Sequence, residues 1–567
     1  MVNAMSDKIW RYAFSSLIGV CAFIFFGFYK IEILFFSEFF QMFEFGYSYF
    51  AERLSITGGL ADYIAEFLTQ FNYYPKIGAA IIAILFVGIQ LLTLKVMQIY
   101  NIQKSLSPLS VIPTIIVWCL MCELEMLLTI PVSLIISLTI FCLIENVKNG
   151  TTKFITTMIV SVLFYWLIGP MVIISILLYS LNTIGKNKVY GICPILLFFV
   201  TAFIASRLVM YPEIYSFIGI NYSRLIVKTD FVIIVVIGFL PAIMKFWKKE
   251  LSKKNVLILQ IVTILLSGIT INQCMNKELL KSARLFMDIY NDDNDHAIEI
   301  CKNNNPKYIY SIQCLNLALA KKGILTETMF NYLQPGPEGL TAKLHLDLYT
   351  PAISSEIYWN LGAVDEAQRF AFESNANIGN GRNSAKNFLR LAETNMLNGQ
   401  YEIANKYLFA LKKTLFYKKI AQEYENLIYT NSVKKHPKFA KIDAIKLETD
   451  GIEEEINLQK TLQDLLNKNP KNLVAMQYLM ATEMTNINYE GLKKSMGYLQ
   501  KSGAKKVPKH VQEALLLFYY NDRKTYKQIP QGIDQQILDA FNNGIMENTY
   551  WKYLKIMKQM SKDLQNK

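Results

Sequence analysis

Six side chains in the first half of the chain are of types that could carry out chemistry at a membrane surface. Glu38 lies in a long segment between apolar runs, and Glu123 and Glu125 sit in the short link Cys122-Glu-Leu-Glu-Met126. Arg207, Arg224 and Lys228 belong to a third link, residues 207–230, which also offers Tyr211, Glu213 and Tyr215. A guanidinium binds phosphate through two parallel hydrogen bonds, and a carboxylate can accept a proton. Glu38, Glu123 and Glu125 are therefore candidate catalytic acids or bases, and Arg207, Arg224 and Lys228 candidate ligands for a lipid phosphate. Polar groups at membrane depth are expensive, which makes such a gathering informative. Each acid taken singly is equally well explained as an interfacial charge in water.

The elements that must position these residues are apolar runs, long enough to cross a hydrocarbon core that takes roughly 17–25 helical residues. Nine are centred on residues 12–29, 77–97, 107–122, 126–144, 153–168, 170–184, 189–206, 230–247 and 255–273. The fifth and sixth are divided only by Gly169-Pro170, a pair that could also kink one tilted helix. Lys and Arg concentrate in cytoplasmic loops. With nine spans and the N-terminus inside, thirteen basic residues fall inside and six outside; merging the fifth and sixth runs gives nine and ten. The sequence thus predicts a transmembrane domain over 1–274, and an extracytoplasmic soluble domain over 275–567 that contains no span. The first run follows Lys8 and Arg11 without a small-residue cleavage site, and is expected to remain as an anchor.

Composition agrees with a membrane class: 52% of residues are hydrophobic and only 18% charged. The net charge of +13 is spread over both halves, so membrane lipids are expected as partners and nucleic acid is not. Five of the eight cysteines lie in or beside the runs and Cys274 sits at an exit, where each reads as a small hydrophobe. Cys301 and Cys314 could pair if the tail meets an oxidising compartment. The four histidines are scattered, and Asn291-Asp-Asp-Asn-Asp295, which resembles half a calcium loop, lacks the glycine at the sixth position and the closing glutamate. No metal site is expected, no cofactor is indicated, and phosphate-loop, nucleophile-elbow and His-Glu-x-x-His motifs are missing from the sequence.

The external segment 30–76 reads as two surface helices. Phe35, Phe36, Phe39, Phe40 and Phe43 form one apolar stripe beside Glu38 and Gln41. After Thr57-Gly-Gly59, Leu60, Tyr63, Ile64, Phe67 and Phe71 fall on one side, and Asp62, Glu66 and Gln70 on the other. In the soluble half a pattern recurs, with a Gly five residues before a small or short side chain: Gly323 to Thr328, Gly362 to Ala367 and Gly399 to Ala404, at spacings of 39 and 37. A degenerate fourth copy covers Ala475–Gln500, and Pro306 and Pro470 each precede a new helix. These copies resemble tetratricopeptide repeats, lengthened beyond the usual period of about 34 residues. Such hairpins stack because one pair cannot bury its apolar face alone, and the resemblance implies a surface for a protein partner.

Two wider resemblances follow. A long first loop bearing Glu38, with the pair Glu123 and Glu125 between the third and fourth spans, is similar to the GT-C class of membrane glycosyltransferases. That resemblance implies sugar transfer from a polyprenyl-phosphate donor, although Glu-x-Glu replaces the Asp-x-Asp pattern and the first loop lacks an adjacent acidic pair. Gly58-Gly-Leu60, Gln70-Phe-Asn-Tyr-Tyr-Pro75, Ala367-Gln-Arg-Phe-Ala-Phe-Glu373 and Arg390-Leu-Ala-Glu-Thr-Asn395 resemble a family of uncharacterised bacterial envelope proteins. This implies an inner-membrane location but no activity. Two functions stay open at this stage, transferase and non-enzymatic scaffold; a transporter fits less well, because the spans hold almost no charge.

Overall fold

The computed structural model describes residues 2–209, 213–218, 227–342, 347–379, 382–447, 457–502, 506–521 and 532–565, with side chains left out at 2–12, 227–231 and 560–565. Every regular element among them is a helix, as the sequence predicts. The chain forms two compact units. The first comprises residues 1–276 together with the short segments 379–385 and 413–418, and the second comprises the rest of the later sequence.

Unit one begins with α1 (Val2–Ile24), which runs through a turn of π-helix and then bends by 76° into α2 (Ile31–Phe39). Then come α3 (Tyr47–Leu54), α4 (Gly59–Thr69), α5 (Pro75–Ile99), α6 (Ile112–Leu120), α7 (Thr129–Glu145), α8 (Gly150–Ile168), α9 (Val172–Thr183) and α10 (Lys188–Leu208). The unit closes with α11 (Glu213–Phe217), α12 (Val227–Met244) and α13 (Lys253–Cys274). Among the described residues, four stretches are long and apolar enough to cross a membrane: Pro75–Ile99, Gly150–Thr183, Lys188–Leu208 and Lys253–Cys274. The bent pair α1–α2 makes a fifth, and Lys104–Leu120, Thr129–Glu145 and Val232–Met244 are apolar but shorter.

Gly150–Thr183 is not one straight rod. Phe154 near the start of α8 stacks on Tyr190 at 4.4 Å, and Tyr190 lies at the start of α10, only a short link beyond the end of α9. The Tyr179 hydroxyl also reaches Thr157, a residue of α8 that a continuous helix would hold roughly 33 Å away at 1.5 Å per residue. The chain therefore reverses at Gly169, whose φ of 71° is open to glycine at little cost.

Once this reversal is recognised, the long helices of unit one alternate in direction between two ends. At one end the α3–α4 turn meets the end of α8, where Gly58 N–H donates to the Trp166 carbonyl (2.8 Å), Thr129 of α7 bonds Asp62 (2.7 Å), and the Cys119 and Cys274 thiols face each other. At the other end Lys153 pairs with Glu145 (2.9 Å), the Lys245 ammonium lies over the Tyr100 ring, and Gln103 bonds the Lys248 carbonyl.

The first loop departs from the expected pair of surface helices. Every residue of α2 from Glu32 to Phe39 is buried, so Glu38 does not face water beside a phenylalanine stripe; it is enclosed with the stripe. In α4 the expected polarity is inverted: Asp62 and Glu66 are buried, whereas Tyr63, Ile64, Phe67 and Leu68 are half-exposed. Gly58 and Gly59 set the start of α4. Gly58 has φ +81°, and a Cβ at Gly59 would fall 1.6 Å from the Arg53 carbonyl oxygen.

Unit two consists of helix hairpins. The turns at Gly323, Gly362 and Gly399 have φ of 74°, 94° and 73°, and Asp292 (63°), Asn431 (50°) and Ile487 (57°) make the same kind of turn without glycine. In all six the next residue donates its N–H to a carbonyl five positions earlier, as Ala363 does to Tyr358 and Asn488 to Glu483. This pattern is the Schellman close of a helix. The fourth copy is a hairpin of Leu473–Thr485 and Tyr489–Lys501. The hairpins do not simply follow one another along an axis. Gln477 accepts from the Thr326 N–H (2.9 Å) and Asn472 donates to the Leu361 carbonyl (2.8 Å), so the helix at 473–485 returns to the earlier hairpins. Cys301 and Cys314 are both buried free thiols.

Candidate functional site

At the α3–α4 end of unit one lies a buried set of charges. Arg53 Nε contacts Glu66 at 3.1 Å, Arg382 Nε contacts the other Glu66 oxygen at 2.7 Å, and Arg382 also meets Asp62 at 2.9 Å. Asp62 accepts from Thr129, and Tyr49 donates to Glu66 and to the Met42 carbonyl. Asp62 is 3% exposed and Glu66 2%, which explains the inverted face of α4: two acids are matched by two guanidiniums in a buried site. A buried pair is strongly destabilised when one partner is lost, because the other charge is left uncompensated. Burial works against the Arg53 and Arg382 charges, but their acids outweigh it and hold both groups above the ordinary guanidinium value. Burial, and then Glu66, pushes the Tyr49 phenol upward.

Next to this cluster is a small polar pocket lined by Glu38, Gln41, Glu66, Thr69, Gln70 and Tyr417, with Phe43 and Phe416 among its walls. Glu38 accepts a hydrogen bond from the Tyr417 hydroxyl at 2.6 Å, and both side chains are buried. Lys413 of the same short segment pairs with Glu44 (3.3 Å), and its carbonyl accepts from the Phe45 N–H. Gln41 is 4% exposed, and neither atom of its carboxamide has a hydrogen-bond partner. The pocket space is about 20 Å³. That admits a water molecule, which needs roughly 10–15 Å³ by the same measure, and no sugar ring.

Of the four candidate catalytic or phosphate-binding residues whose side chains are described, Glu38 lines this pocket and Glu123, Glu125 and Arg207 do not. Glu123 and Glu125 lie on the link between α6 and α7, where burial and then Glu125 raise the Glu123 carboxyl. Arg207 is largely exposed and pairs with Glu213 at 2.7 Å. Arg224 and the side chain of Lys228 lie outside the described residues. Sequence reasoning overlooked Arg53, Arg382 and Tyr417 as partners. Arg382 stands 316 positions from Glu66, a separation that no local pattern bridges. Elsewhere, Asp288, Asp293 and His296 come within 4.8 Å of one another, but Asp288 already pairs with Arg284 (3.3 Å) and His296 (2.8 Å), so no cation is needed to balance it.

The fold and the site together define an all-helical protein with several helices apolar enough to span a membrane, and a buried cluster of two acids and two guanidiniums. A family model described as a family of unknown function, DUF6057, matches residues 8–555, and the chain belongs to that family. No curated protein and no solved structure matches the chain.

Proposed function

We propose that the protein is an inner-membrane anchor, N-terminus inside, that displays an extracytoplasmic, tetratricopeptide-like helical domain for recruiting an envelope protein. Nine crossings are supported by the alternating direction of the long helices, with α6, α7, α9 and α12 as short members. The outward position of the helical domain is supported by the lysines: Lys153, Lys245 and Lys248 sit at the end opposite the first loop, and α13 runs from that end to Cys274.

One observation carries the choice of an anchor over an enzyme. The acid best placed for group transfer, Glu38, is engaged by Tyr417 in a pocket of about 20 Å³, and the neighbouring acids are neutralised by Arg53 and Arg382. Such a loop is built to be held together. The second reading, GT-C-like transfer from a polyprenyl-phosphate donor with Glu38 as base, is favoured by the unpartnered Gln41 carboxamide beside that acid. Glu38→Gln separates the two. A carboxamide oxygen at position 38 still accepts from Tyr417, so an anchor carrying it restores a deletion strain fully at wild-type abundance. Loss of function at unchanged abundance would overturn the anchor in favour of the transferase.

A further inference from the structure

The last hairpin of unit two leaves an apolar groove of about 490 Å³ between Lys509–Asn521, Gln535–Asn542 and Tyr550–Gln565. Leu517, Phe518, Phe541, Trp551 and Leu554 form its floor and walls. At its rim Ile487 is 49% exposed and Ile545 52%.

The charge on this groove is one-sided. Trp551, Leu554, Lys555 and Lys558 follow one another at helical spacing along a single stripe, so two exposed ammonium groups flank the apolar floor about 4.5 Å apart along the helix axis. Among the described residues, no carboxylate lines it. A single acid headgroup would satisfy one lysine, whereas acids one turn apart on a helix would meet both while apolar residues at i, i+3 and i+4 fill the floor.

We propose that this groove binds an acidic amphipathic helix of a partner protein. The inference names the partner chemistry for the anchor reading and rests on it. The test uses the full-length chain in neutral-lipid nanodiscs and three fluorescein-labelled 18-residue peptides. One carries Leu and Phe at i, i+3, i+4 and i+7 with Glu between them, one has the same residues in scrambled order, and one has Lys in place of Glu. Fluorescence polarisation should show the acidic helix binding at least tenfold more tightly than the other two. Lys555→Glu with Lys558→Glu should reverse the preference toward the lysine peptide; both positions are exposed, so the fold is spared. Equal binding of ordered and scrambled peptides, or no response to the double charge reversal, would overturn the proposal. So would saturable binding of a fluorescent fatty acid without peptide binding, which would assign the groove to a lipid tail. Because binding is read on purified protein, its failure is distinct from a failure of Glu38→Gln to restore cells, which bears on the anchor reading alone.

Discussion

Arg382 is the residue on which the first loop's charge balance turns. It supplies one of two guanidiniums facing Asp62 and Glu66, and its removal leaves two buried acids with only Arg53. Arg382→Met is expected to cost about 3–5 kcal/mol, the range for breaking a buried pair. The check is a lowered thermal midpoint in detergent that Glu66→Gln, made in the same chain, partly restores; an unchanged midpoint would show that the pairing carries no net stability. The sequence made Glu38 visible because an acid among five phenylalanines is conspicuous. It misjudged Asp62 and Glu66, since an amphipathic pattern separates two faces without saying which is inside. That choice was decided by guanidiniums contributed from residues 53 and 382.

Among elements, the hairpin turns were legible where glycine marks them and hidden where it does not. Gly323, Gly362 and Gly399 could be read from spacing, whereas Asp292, Asn431 and Ile487 adopt the same left-handed conformation with side chains that give no such signal. The glycines themselves should differ in their tolerance. At Gly399 an added Cβ meets nothing within 4 Å, so Gly399→Ala should cost only the conformational penalty of about 1–2 kcal/mol. At Gly362 the same Cβ comes 2.8 Å from the Ile445 carbonyl oxygen, so Gly362→Ala should destabilise by clearly more. Urea unfolding of the two variants checks the order, and equal losses would mean that the Ile445 segment yields freely. Of the apolar runs read from hydropathy, the described residues show four helical stretches long and apolar enough to cross a membrane, or five with the bent pair, and the question posed by Gly169-Pro170 was one that hydropathy could not answer. Aromatic stacking of Phe154 on Tyr190 answered it, a contact between residues 36 positions apart.

For the whole molecule, the proposed sidedness makes a plain expectation. Tyr47, 84% exposed, marks the first-loop end, and Lys249 lies in the link after α12 at the opposite end. In a Cys21→Ser, Cys274→Ser background, Tyr47→Cys should react with a membrane-impermeant maleimide in intact spheroplasts, and Lys249→Cys only after permeabilisation. The reverse pattern would place the helical domain inside the cell. Composition changes near residue 275, close to where the first unit's continuous stretch ends, but no pattern shows that segments 379–385 and 413–418 belong with the first unit, because contacts formed at such range follow from packing.

The separation between Glu66 and Arg382 also has a meaning in time. At a synthesis rate of roughly 5–20 residues per second, the ribosome needs about 15–60 s to travel from the acid to the base that neutralises it. Throughout that interval Asp62 and Glu66 have Arg53 as their one guanidinium, and a polypeptide stopped short of residue 382 never gains the second. Completion of this charge cluster therefore waits until translation has passed well into the second half of the chain.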